Sequence, residues 1–492
     1  MKKLYDLTVL QAKELLEEKK ISGIELTESI IKRINNSETK INAFITLSLE
    51  SALKTAKNLD KKAKNNESIK PLEGISFAVK DSFVTDEIKT TVGSKILENY
   101  IGQYDTTVVK RLKKAGAIII GKTNLDEFCL GFTTETSAFK TTSNPWDLSR
   151  LPGGSSGGSA AAVIAGECIF SIGSEHYDSI RQPASWCGVV GLKPTYGLVS
   201  RYGIIAMASS LECPGPITKS VKDAGFILSL MAGFDNHDAN SLKVKIPLYH
   251  KKIKKIKKGM KIGLPKEYFS NDVEKGVLKQ IRAAIKILKT AGVKFITINL
   301  PSIKKTSSIF EVLYRAEVAS NLARYDSIRY GKSSFESNLD KNYLNYREKF
   351  GPLIKRLILT DLRAVSGGEF ENIYLDALKL RTLINNEFKK IFNTVDLIIG
   401  PMSPCIAFKK GFYKEGRYLG DNDTNKFRPI VDMIAQLPAL CGFPGISVPC
   451  GFSKNMPVGL NIYGPKLSEQ KILNAAYTYE QLTNWHKKRP KL

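Results

Sequence analysis

Hydrophobic and polar positions in the first quarter of the chain switch between the helical and the extended period. "LTVLQAKELLEEKK", residues 7–20, carries apolar side chains at helical spacing. "EGISFAVKD", residues 73–81, is a short β-rich run that ends in a charged pair. The next segment predicts a helix capped by Asp105 or Thr106 and ended by Gly116, followed by the buried strand "AIIIGK". This alternation predicts an α/β fold.

Small residues dominate the stretch "LPGGSSGGSAAAVIAG", residues 151–166. Such a run predicts a tightly packed helix whose N-terminal amides face a ligand or an anionic group. "CIFSIGSEHYDS", residues 168–179, then predicts a strand that ends in a polar loop. Any chemistry in this chain is therefore expected around these two loops.

The pattern becomes mostly helical beyond Gly233 and returns to strands in the last hundred residues. We predict a single domain over residues 1–492. Its parts are a core with the chemical loops (65–233), a mostly helical insertion (234–393) and closing strands and helices (394–492). Helices are predicted at 273–290, 309–327, 369–392 and 431–440, and strands in "VKFITINLP", "TVDLIIGP", "GISVPCG" and "GLNIYGP".

The net charge leaves open whether the chain binds nucleic acid or another polyanion. The 492 residues include 74 Lys+Arg and 48 Asp+Glu, which leaves a net charge of +26. That charge would attract polyanions such as nucleic acid, but the lysines are spread along the chain and are equally well explained by a compositional bias. The densest block, residues 250–261, is either a solvated loop or a phosphate-binding patch.

Other features of the composition exclude several classes of protein. No apolar run approaches the roughly 18 residues of a membrane helix, and the N-terminal segment lacks the apolar stretch of a signal peptide. We therefore expect no membrane association and a cytoplasmic or organellar-matrix location. The 7 cysteines show no C-x-x-C spacing, which predicts reduced, mostly buried thiols and no metal site.

The candidate chemistry depends on serine and lysine. Only 4 histidines are present, and the G-x-S-x-G match at 153–157 follows no strand, so a Ser-His-Asp hydrolase is disfavoured. The same loop lacks the G-K-[ST] of a P-loop, so nucleotide binding is not supported. A serine can instead be activated by an unprotonated lysine, and Lys80 ends the apolar run "ISFAV", where a strand can carry its amine into a dry crevice.

Long motifs in the chain resemble the amidase signature family. They are "ISFAVKD", "TVVKRLKKAGAIIIGKTNLDEF", "NPWDLSRLPGGSSGGSAAAV" and "SIRQPASWCGVVGLKPTYGLVSRYG". Within that family the chain resembles the A subunits of the glutamyl-tRNA(Gln)/aspartyl-tRNA(Asn) amidotransferases, and the likeness extends over nearly the whole chain. The resemblance implies an amidase signature fold, in which a mixed, mostly parallel central sheet is covered by helices on both faces.

The resemblance also implies a Ser-cisSer-Lys mechanism of amide hydrolysis. Ser179 would be the nucleophile, Ser155 the bridging serine in a cis peptide, and Lys80 the base. The backbone of His176, Tyr177 and Asp178 would form the oxyanion hole. The expected reaction is hydrolysis of glutamine with release of ammonia.

The same resemblance implies partners instead of a cofactor. A chain of this kind would need no cofactor of its own and would form a heterotrimer with a B and a C subunit. The B subunit would use ATP and Mg to activate Glu-tRNA(Gln) or Asp-tRNA(Asn), and charged tRNA would be bound mainly by that subunit. This chain's own ligand would be glutamine.

Two departures from the family pattern bear on the activity. The usual motif of the family is D-T-G-G-S, and this chain has "EHYDS" in its place, so Tyr177 and Asp178 replace two glycines. We expect strain in the turn and, if the Asp178 carboxylate faces the site, opposition to the oxyanion. In "IKRLILTDL" Leu357 stands where an arginine is expected to bind the glutamine carboxylate, with Arg356 beside it. The acidic residue for the glutamine amino group falls on Asp432.

These observations leave three hypotheses. The first is an active glutaminase subunit, because Lys80, Ser155 and Ser179 are all present. The second is a degenerate subunit that holds its B and C partners but has weak or no glutaminase activity. The third is a stand-alone amidase in which His176 and Tyr177 reshape the pocket for another amide.

Overall fold

The computed structural model describes residues 3–64, 70–330, 338–361, 370–414, 417–418 and 434–492. The strands are β1 (Phe44–Leu47), β2 (Ser76–Lys80), β3 (Ile118–Thr123), β4 (Phe170–Glu175), β5 (Val190–Lys193), β6 (Cys213–Thr218), β7 (Lys261–Pro265), β8 (Lys294–Ile298), β9 (Leu397–Pro401), β10 (Tyr413–Lys414), β11 (Arg417–Tyr418), β12 (Gly445–Ser453) and β13 (Met456–Tyr463).

The helices flank the sheet that most of these strands form. They are α1 (Val9–Glu17), α2 (Gly23–Ile41), α3 (Leu49–Lys64), α4 (Thr107–Lys114), α5 (Gly157–Ala165), α6 (Arg181–Cys187), α7 (Val221–Met231), α8 (Tyr249–Lys252), α9 (Lys275–Thr290), α10 (Thr306–Leu322), α11 (Leu339–Arg347), α12 (Pro352–Asp361), α13 (Asp376–Phe392), α14 (434–441) and α15 (Glu469–Gln481). None of the described helices combines the length and the hydrophobicity needed to cross a bilayer.

In the described part of the chain, 11 strands form one sheet in the order β1-β3-β2-β4-β6-β5-β12-β13-β9-β7-β8. β2 runs parallel to β3 and β4, and β7 runs parallel to β8 and β9. The pairings between these two parallel blocks, from β4 to β9, are antiparallel, as is the edge pair β1 and β3. The prediction of an α/β fold with a mixed sheet flanked by helices is confirmed.

The helices near the N-terminus begin at capping residues that are visible in the sequence. Thr8 before α1 and Ser22 before α2 each form a capping box with the residue three positions on. Of the two predicted caps for α4, the structure uses Thr106, whose side chain accepts a hydrogen bond from Val109 N. Gly116 then has a φ of +96°, which suits glycine and ends this turn before β3.

The residues of β2 explain how a lysine reaches the interior. All five side chains of this strand are buried, and Phe77 stacks on Phe170 of β4 with 5.2 Å between ring centroids. α5 is also buried along its whole length, because its glycines and alanines allow close contact with the sheet. Lys80, the last residue of β2, is therefore carried into the crevice between this strand and α5.

The predicted helical insertion, 234–393, contributes two strands to the same sheet. β7 and β8 pair with each other, and β7 also pairs with β9, which lies beyond the insertion. Strands from all three predicted parts of the chain thus share one sheet. The helix predicted at 273–290 corresponds to α9, and the one predicted at 369–392 to α13 with the turn of helix before it.

Candidate active site

The Lys80 amine lies in a closed polar environment. Its Nζ is 2.7 Å from Ser155 Oγ, 3.1 Å from the Ser174 carbonyl oxygen and 3.2 Å from Ser174 Oγ. Lys80, Ser155 and Ser174 have no exposed surface. Lys80 Nζ donates to all three oxygens, and loss of one proton from the amine would leave a lone pair facing the Ser155 hydroxyl.

An ion pair next to Lys80 holds the end of β2. The Asp81 carboxylate lies 2.9 Å from Lys122 Nζ on the neighbouring strand β3, and neither side chain is exposed. Burial lowers the pKa of Lys122, while the charge of Asp81 and its hydrogen bond oppose that shift. Asp81 also accepts hydrogen bonds from the Thr91 amide and hydroxyl. These contacts fix the backbone from which Lys80 projects.

Two glycines position Ser155. Gly153 has a φ of +91°, in the left-handed region that favours glycine. At Gly154 an added Cβ would lie 2.1 Å from Asp126 Oδ2, so a larger residue does not fit. The Gly154 amide donates to Gln182 Oε1 at 3.0 Å, and the Gly154–Ser155 peptide bond is cis. The cis bond expected at Ser155 is thus present in the structure.

Ser179 lies in the loop between β4 and α6, with 4% of its surface exposed. Its carbonyl oxygen accepts a hydrogen bond of 3.1 Å from the Ser156 amide, which joins this loop to the one that carries Ser155. The structure therefore brings the Ser179 loop next to Ser155 and Lys80. These are the residue types of a serine hydrolase site with a lysine base.

A buried ion pair holds the turn that follows β4. Glu175 accepts from the amides of Ile180 and Arg181, each at 3.1 Å, and from Arg181 Nε at 2.8 Å. Arg181 also donates to the Tyr177 carbonyl oxygen at 3.1 Å. Because both charged side chains are fully buried and share several hydrogen bonds, they make the turn rigid.

The structure accommodates the two residues that replace glycines. Neither Tyr177 nor Asp178 is among the described residues with a positive φ, so the expected left-handed strain in this turn is wrong. The Tyr177 ring packs edge-on against Phe310 at 5.1 Å between centroids. The Asp178 carbonyl oxygen accepts from Gln182 N at 2.8 Å, and the residue is 3% exposed. The loop is packed in a form other than a glycine turn.

His176 and Glu212 form a buried side-chain contact that no local pattern in the sequence indicates. His176 Nε2 contacts Glu212 Oε2, and their side chains are 2% and 4% exposed. The antiparallel register of β4 and β6 pairs Glu175 with Cys213, and one further step sets His176 opposite Glu212. Glu212 and Ser174 are thus site residues that were not predicted from the sequence. Correct pairing of these two strands could have indicated them.

The structure describes only one of the two residues expected to bind glutamine. Arg356 lies on α12 and is exposed, whereas Leu357 packs against the hydrophobic cluster around Phe128. The two side chains thus point to different sides of the helix, as the 100° step between neighbours requires. Asp432 lies outside the described residues. Binding of glutamine by this pair stays a prediction.

The cysteines are free thiols. All seven are buried, and none forms a disulfide. Burial raises the pKa of the Cys129 thiol, which lies near Lys80 and Ser155. Within the described residues, no group of three or more His, Cys, Asp or Glu side chains is arranged to hold a metal ion.

Comparison with known proteins places this site in a family. The family model described as Amidase matches residues 25–473, and the chain belongs to the amidase family. The chain is 46% identical, over 99% of its length and 98% of the relative's, to the A subunit of the glutamyl-tRNA(Gln) amidotransferase of Thermoanaerobacter pseudethanolicus. The corresponding A subunit of Geobacillus kaustophilus is 42% identical over 99% of this chain and all of the relative.

Solved structures agree with this assignment. The A subunit of the glutamyl-tRNA(Gln) amidotransferase of Thermotoga maritima matches with a TM-score of 0.78 and 35% identity, over 98% of this chain and 96% of that one. The peptide amidase of Stenotrophomonas maltophilia matches with a TM-score of 0.82 and 27% identity, over 97% of each chain. The predicted family and fold are confirmed.

Proposed function

We propose that this chain is the glutamine-hydrolysing A subunit of a tRNA-dependent amidotransferase. It would release ammonia for the conversion of Glu-tRNA(Gln) to Gln-tRNA(Gln), or of Asp-tRNA(Asn) to Asn-tRNA(Asn). The observation that carries the proposal is the 2.7 Å contact between the buried Lys80 amine and Ser155 Oγ. It occurs in a chain that is 46% identical to a protein named as such a subunit.

In the proposed reaction, Lys80 accepts the proton of Ser155 while Ser155 accepts that of Ser179. Ser179 Oγ attacks the carbon of the glutamine side-chain amide. The C–N bond then breaks, and the nitrogen leaves as ammonia after taking a proton back from the same relay. Water hydrolyses the glutamyl ester by the reverse sequence of proton transfers, which frees glutamate and Ser179.

The oxyanion of each tetrahedral intermediate needs hydrogen-bond donors, and we assign them to the backbone from His176 to Asp178. Positioned donors of this kind are typically worth about 3–4 kcal/mol each in transition-state stabilisation. The rigid turn held by Glu175 and Arg181 supports this assignment, because it keeps the loop in one conformation. Arg356 and Asp432 are the proposed contacts for the glutamine carboxylate and amino groups.

The partners follow from the proposed role. A chain with this role works in an amidotransferase complex with other subunits, and we propose a B and a C subunit in a heterotrimer. The B subunit would bind ATP, Mg and most of the charged tRNA, and would use the ammonia released at Ser179. The complex would work in the cytoplasm or an organellar matrix.

A second candidate function is a scaffold subunit with weak or no glutaminase activity. The observation that favours it is the pair Tyr177 and Asp178, which brings a carboxyl group to a loop beside the nucleophile. A negative charge there would oppose the oxyanion. The complex would then take ammonia from solution, and this chain would retain only its binding to the B and C subunits.

The deciding experiment measures ammonia release from glutamine by the chain assembled with its partner subunits, in wild type and in Ser179→Ala. We expect release by the wild type and a loss of at least about 10³-fold in the variant. Equal rates would refute the glutaminase proposal. Amidation of the tRNA with ammonium but not with glutamine would establish the scaffold function instead. A chain that purifies without partners and cleaves simple amides would refute both.

A further inference from the structure

The His176 and Glu212 ion pair connects to the catalytic amine through one hydroxyl group. Ser174 lies between the two groups: its hydroxyl and the charge of Lys80 both act to lower the pKa of Glu212, and Ser174 Oγ lies 3.2 Å from Lys80 Nζ. Since Ser174 Oγ has one hydrogen and two lone pairs, it can face the carboxylate and the amine at the same time. The chain of contacts therefore runs from His176 through Glu212 and Ser174 to Lys80.

The charge of Glu212 is retained in this buried position. Burial acts to raise the pKa of Glu212, but the charge and hydrogen bond of His176, the charge of Lys80 and the Ser174 hydroxyl together lower it. A buried carboxylate needs a compensating positive charge. Two titratable cations adjoin it: His176 in direct contact and Lys80 through Ser174.

One positive charge is enough to balance the charge of Glu212. Whether the proton that supplies it is on His176 or on Lys80 decides whether Lys80 can act as a base. If the balancing proton is on Lys80, the amine is an ammonium ion with no lone pair for Ser155. If it is on His176, Glu212 is neutralised by direct contact and Lys80 is left free to lose its proton. The His176 ring contacts Glu212 directly through Nε2, whereas Ser174 lies between Glu212 and Lys80, so a proton on His176 would balance the carboxylate at the shorter distance.

Resting on the proposed function, we propose that His176 and Glu212 are positioning residues for Lys80. Glu212 orients Ser174 against the amine, and His176 supplies the positive charge that lets Glu212 stay ionised while Lys80 is a free amine. His176 thus acts through its side chain, in addition to its backbone contribution to the oxyanion hole.

Several other groups face this pair and enter its titration. Glu212 acts on Cys129 and Cys213, two buried thiols whose pKa values burial raises, and on the Arg201 guanidinium. The Tyr314 ring lies across from His176, with 6.4 Å between ring centroids. The thiols are neutral near pH 7 and Arg201 has its own ion pair with Asp238.

The first test is His176→Gln in the assembled complex, with glutamine hydrolysis measured from pH 6 to 10. Glutamine keeps an N–H donor toward Glu212 but carries no charge. The unbalanced Glu212 would then hold the proton on Lys80, so the alkaline rise of kcat shifts upward by about one pH unit and the rate at pH 7 falls about tenfold. A loss of packing alone would lower kcat without moving this profile, and that result would overturn the proposal.

The double variant His176→Gln with Glu212→Gln separates charge from packing. Removing both charges returns Lys80 to the free amine, so the profile should move back and the rate at pH 7 should recover to within about threefold of wild type. A double variant no better than the single one would refute the charge argument. His237→Gln is the matched control, because His237 also contacts a carboxylate, Asp235 at 3.0 Å, but its side chain is 59% exposed.

An NMR measurement that does not depend on enzyme activity distinguishes failure of this inference from failure of the proposed glutaminase function. With only 4 histidines in the chain, the His176 ring can be assigned by NMR as the signal lost in His176→Gln. We expect a charged ring at pH 7 in wild type and an uncharged ring in Glu212→Gln. An uncharged His176 in the wild type would overturn this inference whether or not glutamine is hydrolysed. A charged His176 in a complex without glutaminase activity would support the pair and refute the proposed function alone.

Discussion

Lys80 Nζ lies 2.7 Å from Ser155 Oγ at a position where neither side chain has any exposed surface. A lysine amine free in water is protonated near neutral pH and is a poor base. At this site Nζ contacts three oxygens, and its direct contact with the Ser155 hydroxyl allows a proton to pass between the two groups. The contact is therefore the structural basis for treating Lys80 as a base and Ser155 as its relay.

Replacing Lys80 by methionine removes the base and keeps a chain of similar length. We expect glutamine hydrolysis by the assembled complex to fall by about 10²–10⁴-fold, the usual contribution of a general base. Ammonia release under saturating glutamine measures it. Lys255→Met, an exposed lysine of the basic block, is the matched control and should retain the wild-type rate. A variant of Lys80 with more than half of the wild-type rate would contradict the assignment.

Asp178→Gly tests whether the altered loop limits the reaction. If the carboxyl group beside Ser179 opposes the oxyanion, its removal should raise kcat by about tenfold or more, since one oxyanion contact is worth about 3 kcal/mol. Asp178→Asn separates the two effects, because it removes the charge and keeps the backbone restriction. If kcat increases in both variants, the charge of Asp178 limits the reaction. If kcat increases only in Asp178→Gly, the backbone restriction limits it. No increase in either would show that Asp178 does not restrain the activity.

Asp81→Asn tests how much the buried ion pair of Asp81 with Lys122, at the end of β2, contributes to the stability of the fold. The substitution leaves Lys122 buried without its ion-pair partner, which we expect to lower the free energy of unfolding by about 3 kcal/mol. Urea unfolding followed by circular dichroism measures the difference. Asp376→Asn breaks the exposed pair with Lys379 and should cost less than about 1 kcal/mol. Equal effects of the two substitutions would mean that the buried pair contributes no more than a surface one.

The buried carboxyl group of Glu480 should make the free energy of unfolding depend on pH. Burial raises its pKa to about 8, and its carboxyl accepts a hydrogen bond of 2.8 Å from Val221 N. In the unfolded chain the group titrates near its ordinary pKa of 4.5. Because the folded form holds the proton more tightly, the stability it contributes is complete below the unfolded value and is lost as the pH rises to about 8.

Glu480→Gln should remove this dependence. Relative to the variant, the wild type should lose on the order of 2–4 kcal/mol between pH 5 and pH 8.5. Urea unfolding at both pH values gives the comparison. Glu28→Gln, at an exposed position of α2, is the control and should follow the wild type. Parallel pH profiles for wild type and Glu480→Gln would rule out the raised pKa.

Local sequence patterns predicted the elements around the site well. Thr106 as a helix cap and Gly116 as a stop follow from hydrogen bonding and backbone freedom within a few residues. The strand that ends at Lys80 follows from an apolar run that has to be buried. The resemblance to a family then supplied Ser155 and Ser179 as partners of this lysine. The cis bond expected at Ser155 is present in the structure.

Contacts between distant segments were harder to predict. The strain expected at Tyr177 and Asp178 is absent, because their φ values are ordinary and the Tyr177 ring packs on Phe310 of α10. Nothing near Tyr177 in the sequence indicates Phe310. Ser174 and Glu212 were missed for the same reason, since their roles depend on which strand pairs with β4.

The sequence by itself determined the α/β class, the buried strand that carries Lys80 and the glycine loop before Ser155. These features depend on hydrophobic periodicity and backbone freedom, which act within a few residues. The tertiary structure decided that His176 meets Glu212 and that Ser174 meets Lys80, because β4 pairs with β6 in one antiparallel register and with β2 in one parallel register. A register is set by the burial of whole strands, so the charges that surround a catalytic amine are a property of the assembled sheet.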